Sequence, residues 1–75
     1  KPAKNEIWYT STDGNIVKPK DGTDWGGAQI VSNTYENGQG VITFDGVVTK
    51  IGSHAFEHCS LLTDITIPES VIEIG

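Results

Sequence analysis

The chain has 75 residues and a net charge of −5, from ten acidic and five basic side chains. Residues 1–20 carry four lysines against two acidic residues, a net of +2, and residues 21–75 carry one lysine against eight acidic residues, a net of −7. Arginine is absent. Because nucleic-acid binding needs a basic face that displaces counterions from phosphate, we exclude that class of protein.

Length and composition also bear on membrane insertion, secretion and disulfide bonding. No stretch approaches the ~20 apolar residues of a membrane helix, so we expect no membrane insertion in this segment. Residues 1–4 lack the apolar core of a signal peptide, and the chain begins with Lys rather than Met. We therefore expect a trimmed chain, for which the missing leader is no argument for the cytosol. The single cysteine excludes an internal disulfide, which leaves a metal, self-association or a longer parent chain as the source of extra stability.

The first 41 residues predict a β-rich N-terminal cap. Residues 1–5 are a polar leader. Short β-rich runs at 6–11 and 15–18 flank Asp13-Gly14, and Asp-Gly between such runs predicts a hairpin because glycine accepts the positive φ of a tight turn.

A loop and a second hairpin follow within the predicted cap. Residues 19–27 contain one Pro, three Gly and two Asp, a composition typical of a loop. The runs 28–35 and 41–46 are β-rich and are joined by residues 36–40. This arrangement predicts a second antiparallel pair.

The second half of the chain repeats itself with an offset of 23 residues. Residues 42–52, ITFDGVVTKIG, and residues 65–75, ITIPESVIEIG, are identical at five of eleven aligned positions. This offset lies within the range of about 20–29 residues that is typical for the length of one leucine-rich repeat. A short strand in each unit would turn Ile65 and Ile67 inward and Thr66 outward, and successive units would share a core by stacking.

Residues 51–75 resemble the repeat of BspA-like bacterial leucine-rich-repeat surface proteins, roughly I-G-x-x-A-F-x-x-C-x-x-L-x-x-I-x-I-P-x-x-V-x-x-I-G. One departure is Ile72, an apolar residue where the family usually has a polar one. The matching positions are Ile51, Gly52, Ala55, Phe56, Cys59, Leu62, Ile65, Ile67, Pro68, Val71, Ile74 and Gly75.

The resemblance implies a β-rich fold with a short helical turn, in which an N-terminal β-hairpin cap leads into the start of a leucine-rich-repeat solenoid. The region 42–75 would hold a partial repeat (42–50), a full repeat (51–73) and the start of the next (74–75). One and a fraction repeats cannot bury both faces, so we expect the N-terminal part of a longer array that self-associates through its open C-terminal end. The predicted repeat core is Ile51, Ala55, Phe56, Cys59, Leu62, Ile65, Ile67, Val71 and Ile74.

Residues 53–59, SHAFEHC, contain the H-x-x-E-H pattern of one class of zinc metalloproteases. The repeat gives these residues a structural interpretation, because its apolar positions form one stripe of a short helical turn. His54, Glu57 and His58 would then lie on the outer face, without the long buried helix that catalytic zinc needs. We therefore predict no enzyme, no catalytic residue, no cofactor and no functional metal, with adventitious metal binding at His54 and His58 only.

Two other features have a structural and a functional interpretation. Cys59 could be a nucleophile, but the repeat register favours a small buried side chain. The acidic turns at 13–15 and 21–24 could contribute to a calcium site, but neither has the full D-x-D-x-D-G spacing, and Asp beside Gly is typical of turns.

The aromatic residues supply the contact predictions. Trp8 and Tyr9 point to opposite faces of one predicted strand, so a single covered face can bury only one of them. Trp25, in a glycine-rich loop, is predicted to be an exposed contact residue. The other predicted contact residues are Trp8 and the outward-pointing Thr43 and Thr66.

The family resemblance implies a non-catalytic module of a secreted or cell-surface bacterial protein, located outside the cell. Such a module would mediate adhesion or protein–protein interaction with an unidentified partner of host or matrix origin. The alternative is a carbohydrate-binding module that stacks sugars on exposed Trp and Tyr side chains such as Tyr35.

Overall fold

The computed structural model describes residues 2–75, and Lys1, the first residue of the predicted polar leader, lies outside them. Four strands form an antiparallel sheet in the order β2-β3-β1-β5, and β4 and β6 form a separate parallel pair. The predicted β-rich class is confirmed. The strands are β1 (Glu6–Ser11), β2 (Ile30–Glu36), β3 (Gln39–Phe44), β4 (Lys50–Ile51), β5 (Leu62–Thr66) and β6 (Glu73–Ile74).

One of the two predicted hairpins forms. β2 and β3 pair across Asn37 and Gly38, whose φ angles of 53° and 79° are those of a tight type I′ turn. The predicted hairpin around Asp13-Gly14 is wrong, because residues 15–18 form no strand. β1 pairs with β3 along one edge and with β5 along the other, which leaves no free edge for residues 15–18.

The core lies under one face of the four-stranded sheet. Ile7 and Tyr9 of β1 and Ile42 and Phe44 of β3 point into it, as the alternation of side chains along a strand requires. The ring of Tyr9 packs directly on Gly40, where a Cβ atom would clash with it. The buried apolar residues are Ile7, Tyr9, Val17, Trp25, Ala28, Ile42, Phe44, Val48, Ile51 and Ala55.

The connection between β1 and β2 contributes one of the largest core side chains. Trp25 is only 4% exposed. Its ring centroid lies 5.1 Å from that of Phe44 and 6.1 Å from that of Phe56, both in edge-on geometry. The prediction that Trp25 is an exposed contact residue is therefore wrong. In a chain with so few apolar residues, the sheet face can be covered only if an aromatic side chain from a loop turns inward.

The sequence repeat appears directly in one pair of strands. β4 and β6 are parallel with Lys50 opposite Glu73 and Ile51 opposite Ile74, which is an offset of 23 residues. The repeat-equivalent segments of β3 and β5 do not pair, because β1 lies between these two strands. The parallel stacking of equivalent positions is thus present at β4 and β6 and is interrupted in the larger sheet.

The predicted short helical turn over 53–59 is not seen, and residues 2–75 contain no helix. His54 and His58 both have a φ of 62°, a left-handed conformation that a right-handed helix cannot contain. Successive tight turns replace the helix. Their backbone N–H groups donate from Ala55 to Gly52, from Glu57 to His54 and from Cys59 to Phe56, at 3.3, 3.0 and 3.2 Å.

The predicted repeat core is buried unevenly. Ile51 and Ala55 are buried. Ile74, also predicted to lie in the core, is 66% exposed, because β6 has a neighbour on one side only. The remaining repeat residues are partly buried against the core from its periphery: Phe56, Cys59, Leu62, Ile65, Ile67 and Val71.

Candidate functional site

Three of the four predicted contact residues lie on the outer face, which we define as the side of the four-stranded sheet that points away from the core. Ile7 of β1 points inward, so its neighbour Trp8 points outward. Trp8 is paired with Val41 of β3 on one side and Thr66 of β5 on the other. Thr43 follows Val41 by two residues and is therefore on the same face.

Trp8 is held in place by its own strand. Its indole Nε1–H donates to a carboxylate oxygen of Glu6 at 3.3 Å, and the same oxygen accepts from the backbone N–H of Ala3 at 3.2 Å. Trp8 is half-buried, which leaves part of the ring available to a partner. A rigid aromatic side chain in this position loses little conformational entropy on binding.

A shallow depression of about 50 Å³ lies beside Trp8. Ligand pockets for small molecules usually measure about 300–1,000 Å³, so this depression suits a single side chain of a partner protein. At its end the hydroxyls of Thr10 and Thr63 are 2.7 Å apart and form a hydrogen bond. The lining residues are Trp8, Tyr9, Thr10, Gln39, Asp64 and Thr66.

The outer face is polar and acidic. The four strands of the sheet contain three carboxylates, Glu6, Glu36 and Asp64, and no lysine. Ser32 and Thr34 of β2 extend the row of hydroxyls, since they pair with Thr43 and Val41. A surface with this charge attracts a basic partner and repels an acidic one.

The residues of the H-x-x-E-H pattern lie away from this face, in the turns after β4. His54 Nδ1 is 3.8 Å from a carboxylate oxygen of Glu57, whose other oxygen accepts a hydrogen bond from Lys20 Nζ at 3.3 Å. Across residues 2–75, no three His, Cys, Asp or Glu side chains are close enough together to hold a metal ion.

Cys59 is half-buried beside these turns. Burial raises the pKa of its thiol, which lowers the fraction of the nucleophilic thiolate. The thiol donates weakly to the carbonyl oxygens of Lys18 and Glu57, at 3.6 and 3.7 Å. This environment is typical of a structural cysteine.

Sequence reasoning missed a cavity of about 490 Å³ between the 18-residue connection 12–29 and the start of β2. Trp25 lies in its wall together with Ile16 and Ile30, which were not predicted to be functional. The length of the connection was the available signal, because loops longer than about 12–15 residues without secondary structure are usually functional.

None of the protein-family models matches this chain, and neither the curated proteins nor the solved structures contain a significant match. A search of residues 2–75 for a helix long and apolar enough to cross a membrane finds none.

Proposed function

We propose that this chain is a non-catalytic leucine-rich-repeat-type module of a secreted or cell-surface bacterial protein, and that it binds another protein through the outer face of its sheet. The observation that carries the binding proposal is the convergence of Trp8, Thr43 and Thr66 on one uncovered, acidic face. Aromatic side chains surrounded by small polar groups are typical of binding hot spots.

The repeat part of the proposal rests on the pairing of β4 with β6. Repeat proteins stack equivalent positions of successive units in parallel, and here Ile51 lies opposite Ile74 at the offset found in the sequence. The resemblance of residues 51–75 to the BspA-like repeat is in the same register. A leucine-rich-repeat solenoid that continues this stacking, and a location outside the cell, are part of the proposal.

The proposed partner is a protein whose contact surface is basic. Carboxylates at Glu6, Glu36 and Asp64 would accept its donors, and the depression beside Trp8 would take one of its side chains. Partners from host tissue or matrix with lysine-rich surfaces would meet both requirements.

Surface plasmon resonance against a panel of purified extracellular-matrix proteins tests this proposal. Trp8→Ala should weaken binding by about tenfold or more, because truncation of a central aromatic typically costs 2 kcal/mol or more. Thr66→Lys should weaken it as well by adding a cation to the acidic face. Ser53→Lys makes the same charge change at an exposed position in the turns after β4, outside this sheet, and serves as the matched control. Equal binding by all four proteins would overturn the proposal.

The carbohydrate-binding alternative depends on Trp8, since Trp25 is buried and Tyr35 is partly buried against the core beside Tyr9. A glycan panel read by tryptophan fluorescence of the Trp25→Phe variant, in which Trp8 is the remaining tryptophan, distinguishes the two functions. Saturable shifts with a glycan and no binding to the protein panel would favour carbohydrate binding.

We also propose weak to moderate self-association through β6. Ile72 and Ile74 are 87% and 66% exposed, beside a strand edge that has no neighbour among the described strands. Unpaired edges with exposed apolar side chains pair readily with another chain. Sedimentation velocity should show a dimer that is lost in Ile74→Lys and that strengthens with salt, because salt screens the repulsion between two chains of net charge −5. A monomer at millimolar concentration would contradict this part.

A further inference from the structure

The cavity beside the 12–29 connection is in the size range of small-molecule sites. Its volume of about 490 Å³ lies within the usual range of about 300–1,000 Å³. It is separate from the outer face, because Trp25 and Ala28 belong to the core on the opposite side of the sheet. The cavity is open to solvent on one side, so a small molecule can reach it.

The interior of the cavity is apolar. Trp25 and Ala28, both buried, line it together with the buried ring of Pro19. Ile16 and Ile30 flank its opening and are about half exposed. An apolar ligand body would cover both isoleucines and one edge of the indole, which favours binding in proportion to the area removed from water.

The rim of the cavity carries two lysines. Lys18 and Lys20 line it, and Asp21 is the one carboxylate among its lining residues. The Lys18–Asp21 pair is 3.9 Å long and almost fully exposed, so it holds the lysine weakly. Lys20 lies 3.3 Å from Glu57, which is outside the lining. Lys18 is therefore available to an anionic group at the opening.

The wall formed by the connection is tied to the sheet by a hydrogen-bond triangle. Tyr9 Oη accepts from the backbone N–H of Val17 at 3.1 Å and donates to Asn33 Oδ1 at 2.6 Å. Asn33 Nδ2 in turn donates to the carbonyl oxygen of Val17 at 2.9 Å. These three bonds hold the segment that contains Ile16 and Lys18 at a set distance from β2.

The other walls are tied down as well. The backbone of Gln29 donates to a carboxylate oxygen of Asp45 and accepts from the Asp45 backbone N–H, both at 2.9 Å. The backbone N–H of Lys20 donates to the carbonyl oxygen of Ala55 at 2.7 Å. A cavity whose walls are fixed in this way is preformed, so a ligand does not lose affinity to the ordering of a loop.

We propose that this cavity binds an amphipathic organic anion. The apolar or aromatic body of the ligand lies against Trp25, Ala28 and Ile30, and its carboxylate or equivalent anionic group meets Lys18 at the rim. This site is independent of the outer face and of the repeat, and it adds a small-molecule ligand to a module proposed to bind protein.

The test uses 8-anilinonaphthalene-1-sulfonate, an aromatic anion whose fluorescence rises in apolar surroundings, with the Trp8→Phe variant. Trp25 is then the remaining tryptophan. We expect saturable one-to-one binding that shifts the NMR signal of the Trp25 indole N–H, because the bound probe contacts this ring. Ile16→Asp, which places a carboxylate at the opening, should weaken binding at least tenfold. Val47→Asp makes the same change at another exposed apolar residue outside the lining and should leave binding unchanged.

The anionic part of the proposal has its own readout. Lys18→Gln should weaken binding of the sulfonate about two- to fivefold, the range of an exposed ion pair, and should leave binding of the neutral analogue N-phenyl-1-naphthylamine unchanged. Lys4→Gln removes the same charge from an exposed lysine elsewhere and should change neither affinity.

Three results would overturn the proposal. Binding that leaves the indole N–H signal of Trp25 unshifted would place the probe elsewhere, for example on Ile72 and Ile74. Equal effects of Ile16→Asp and Val47→Asp would show that the cavity opening is not involved. Equal affinities for the sulfonate and the neutral analogue, with no effect of Lys18→Gln, would show that the site does not recognise an anionic group. Thermal melts of each variant exclude loss of folding as the cause.

Discussion

Residues 2–48 and residues 49–75 differ in how they are stabilised. The first region supplies eight of the ten buried apolar residues, and the second, which carries the more regular sequence pattern, supplies only Ile51 and Ala55. The second region is attached to the first through β5, which pairs with β1, whereas β4 and β6 pair with each other inside the second region. Regular periodicity in a sequence therefore predicts where side chains point, but not how many neighbours cover them.

The largest expected effect tests this difference directly. Phe44→Ala in the first region should lower the free energy of unfolding by about 3–5 kcal/mol, because it leaves a cavity in a buried site. Phe56→Ala, at the largest residue of the repeat, should cost about 1–2 kcal/mol, since its ring is only partly buried against Trp25. Urea denaturation followed by circular dichroism gives both values. Equal costs would mean that the repeat has a core of its own.

The next effect concerns the link between the 12–29 connection and the sheet. Tyr9→Phe removes the hydroxyl that bonds Val17 and Asn33, and should cost about 1–3 kcal/mol because buried polar groups lose their partner. Tyr35→Phe is the matched control, since its hydroxyl accepts a single bond from the Ser11 N–H at 3.2 Å. Burial also raises the pKa of Tyr9 above its ordinary 10.0. The neutral hydroxyl of Tyr9 therefore contributes fully to the free energy of unfolding below pH 10, and this contribution is lost as the pH rises through the raised pKa. Tyr9→Phe should accordingly lose less stability in alkali than the parent protein.

A smaller effect tests backbone strain in the turns of the second region. His58 has a φ of 62°, which an L-residue adopts at a cost of roughly 1–2 kcal/mol and glycine adopts freely. His58→Gly should therefore raise stability by up to about 1 kcal/mol after the entropy gained by the unfolded chain is subtracted. Asn37→Gly in the β2–β3 turn should change stability less, because Asn tolerates this conformation. A larger gain at Asn37 than at His58 would contradict this assignment of strain.

The smallest effect tests the electrostatic link between the two regions. Lys50 Nζ lies 3.2 Å from Asp24 and 3.5 Å from Glu73. The backbone N–H of Gly26 and, next, Lys50 hold the pKa of Asp24 below its ordinary 3.8. Because the pKa of Asp24 is lower in the folded chain, its carboxylate stabilises the fold at any pH above its ordinary pKa. This stabilisation is lost as the pH falls through the lowered pKa. Melting temperatures between pH 2 and 6 should fall less steeply with acid in Lys50→Gln, which keeps the Gly26 hydrogen bond, than in Lys18→Gln, the charge control. Identical slopes would contradict the link.

Local chemistry was sufficient to predict several elements. The second antiparallel pair follows from the sequence, although its connection is shorter than the predicted 36–40, because Asn37 and Gly38 form a two-residue turn with positive φ at both positions. Strand alternation places Trp8 and Tyr9 on opposite faces and turns Thr66 outward, but it does not decide which of the two aromatic side chains is buried. The hairpin predicted at Asp13-Gly14 does not form, although Asp-Gly between β-rich runs favours a tight turn. β1 pairs instead with β3 and β5, which are distant in the sequence.

The predictions of a helical turn over 53–59 and of an exposed Trp25 were wrong for related reasons. The spacing of apolar residues in 53–59 fits a helix, but left-handed residues at His54 and His58 divide that segment into separate turns. Trp25 lies in a glycine-rich loop, and no local rule predicts that such a loop folds back over Phe44. The cavity depends on that fold-back and could not be located from the sequence.

By itself, the sequence determined the β-rich class, one hairpin and the 23-residue offset that aligns Ile51 with Ile74. These properties depend on side-chain alternation, turn conformation and repetition, all of which act over short distances or are copied along the chain. The tertiary structure decided which strands become neighbours, that β1 separates β3 from β5, and which apolar side chains are covered. Those outcomes depend on competition among distant segments for one small apolar face, and the strongest combination of pairings prevails over each local preference.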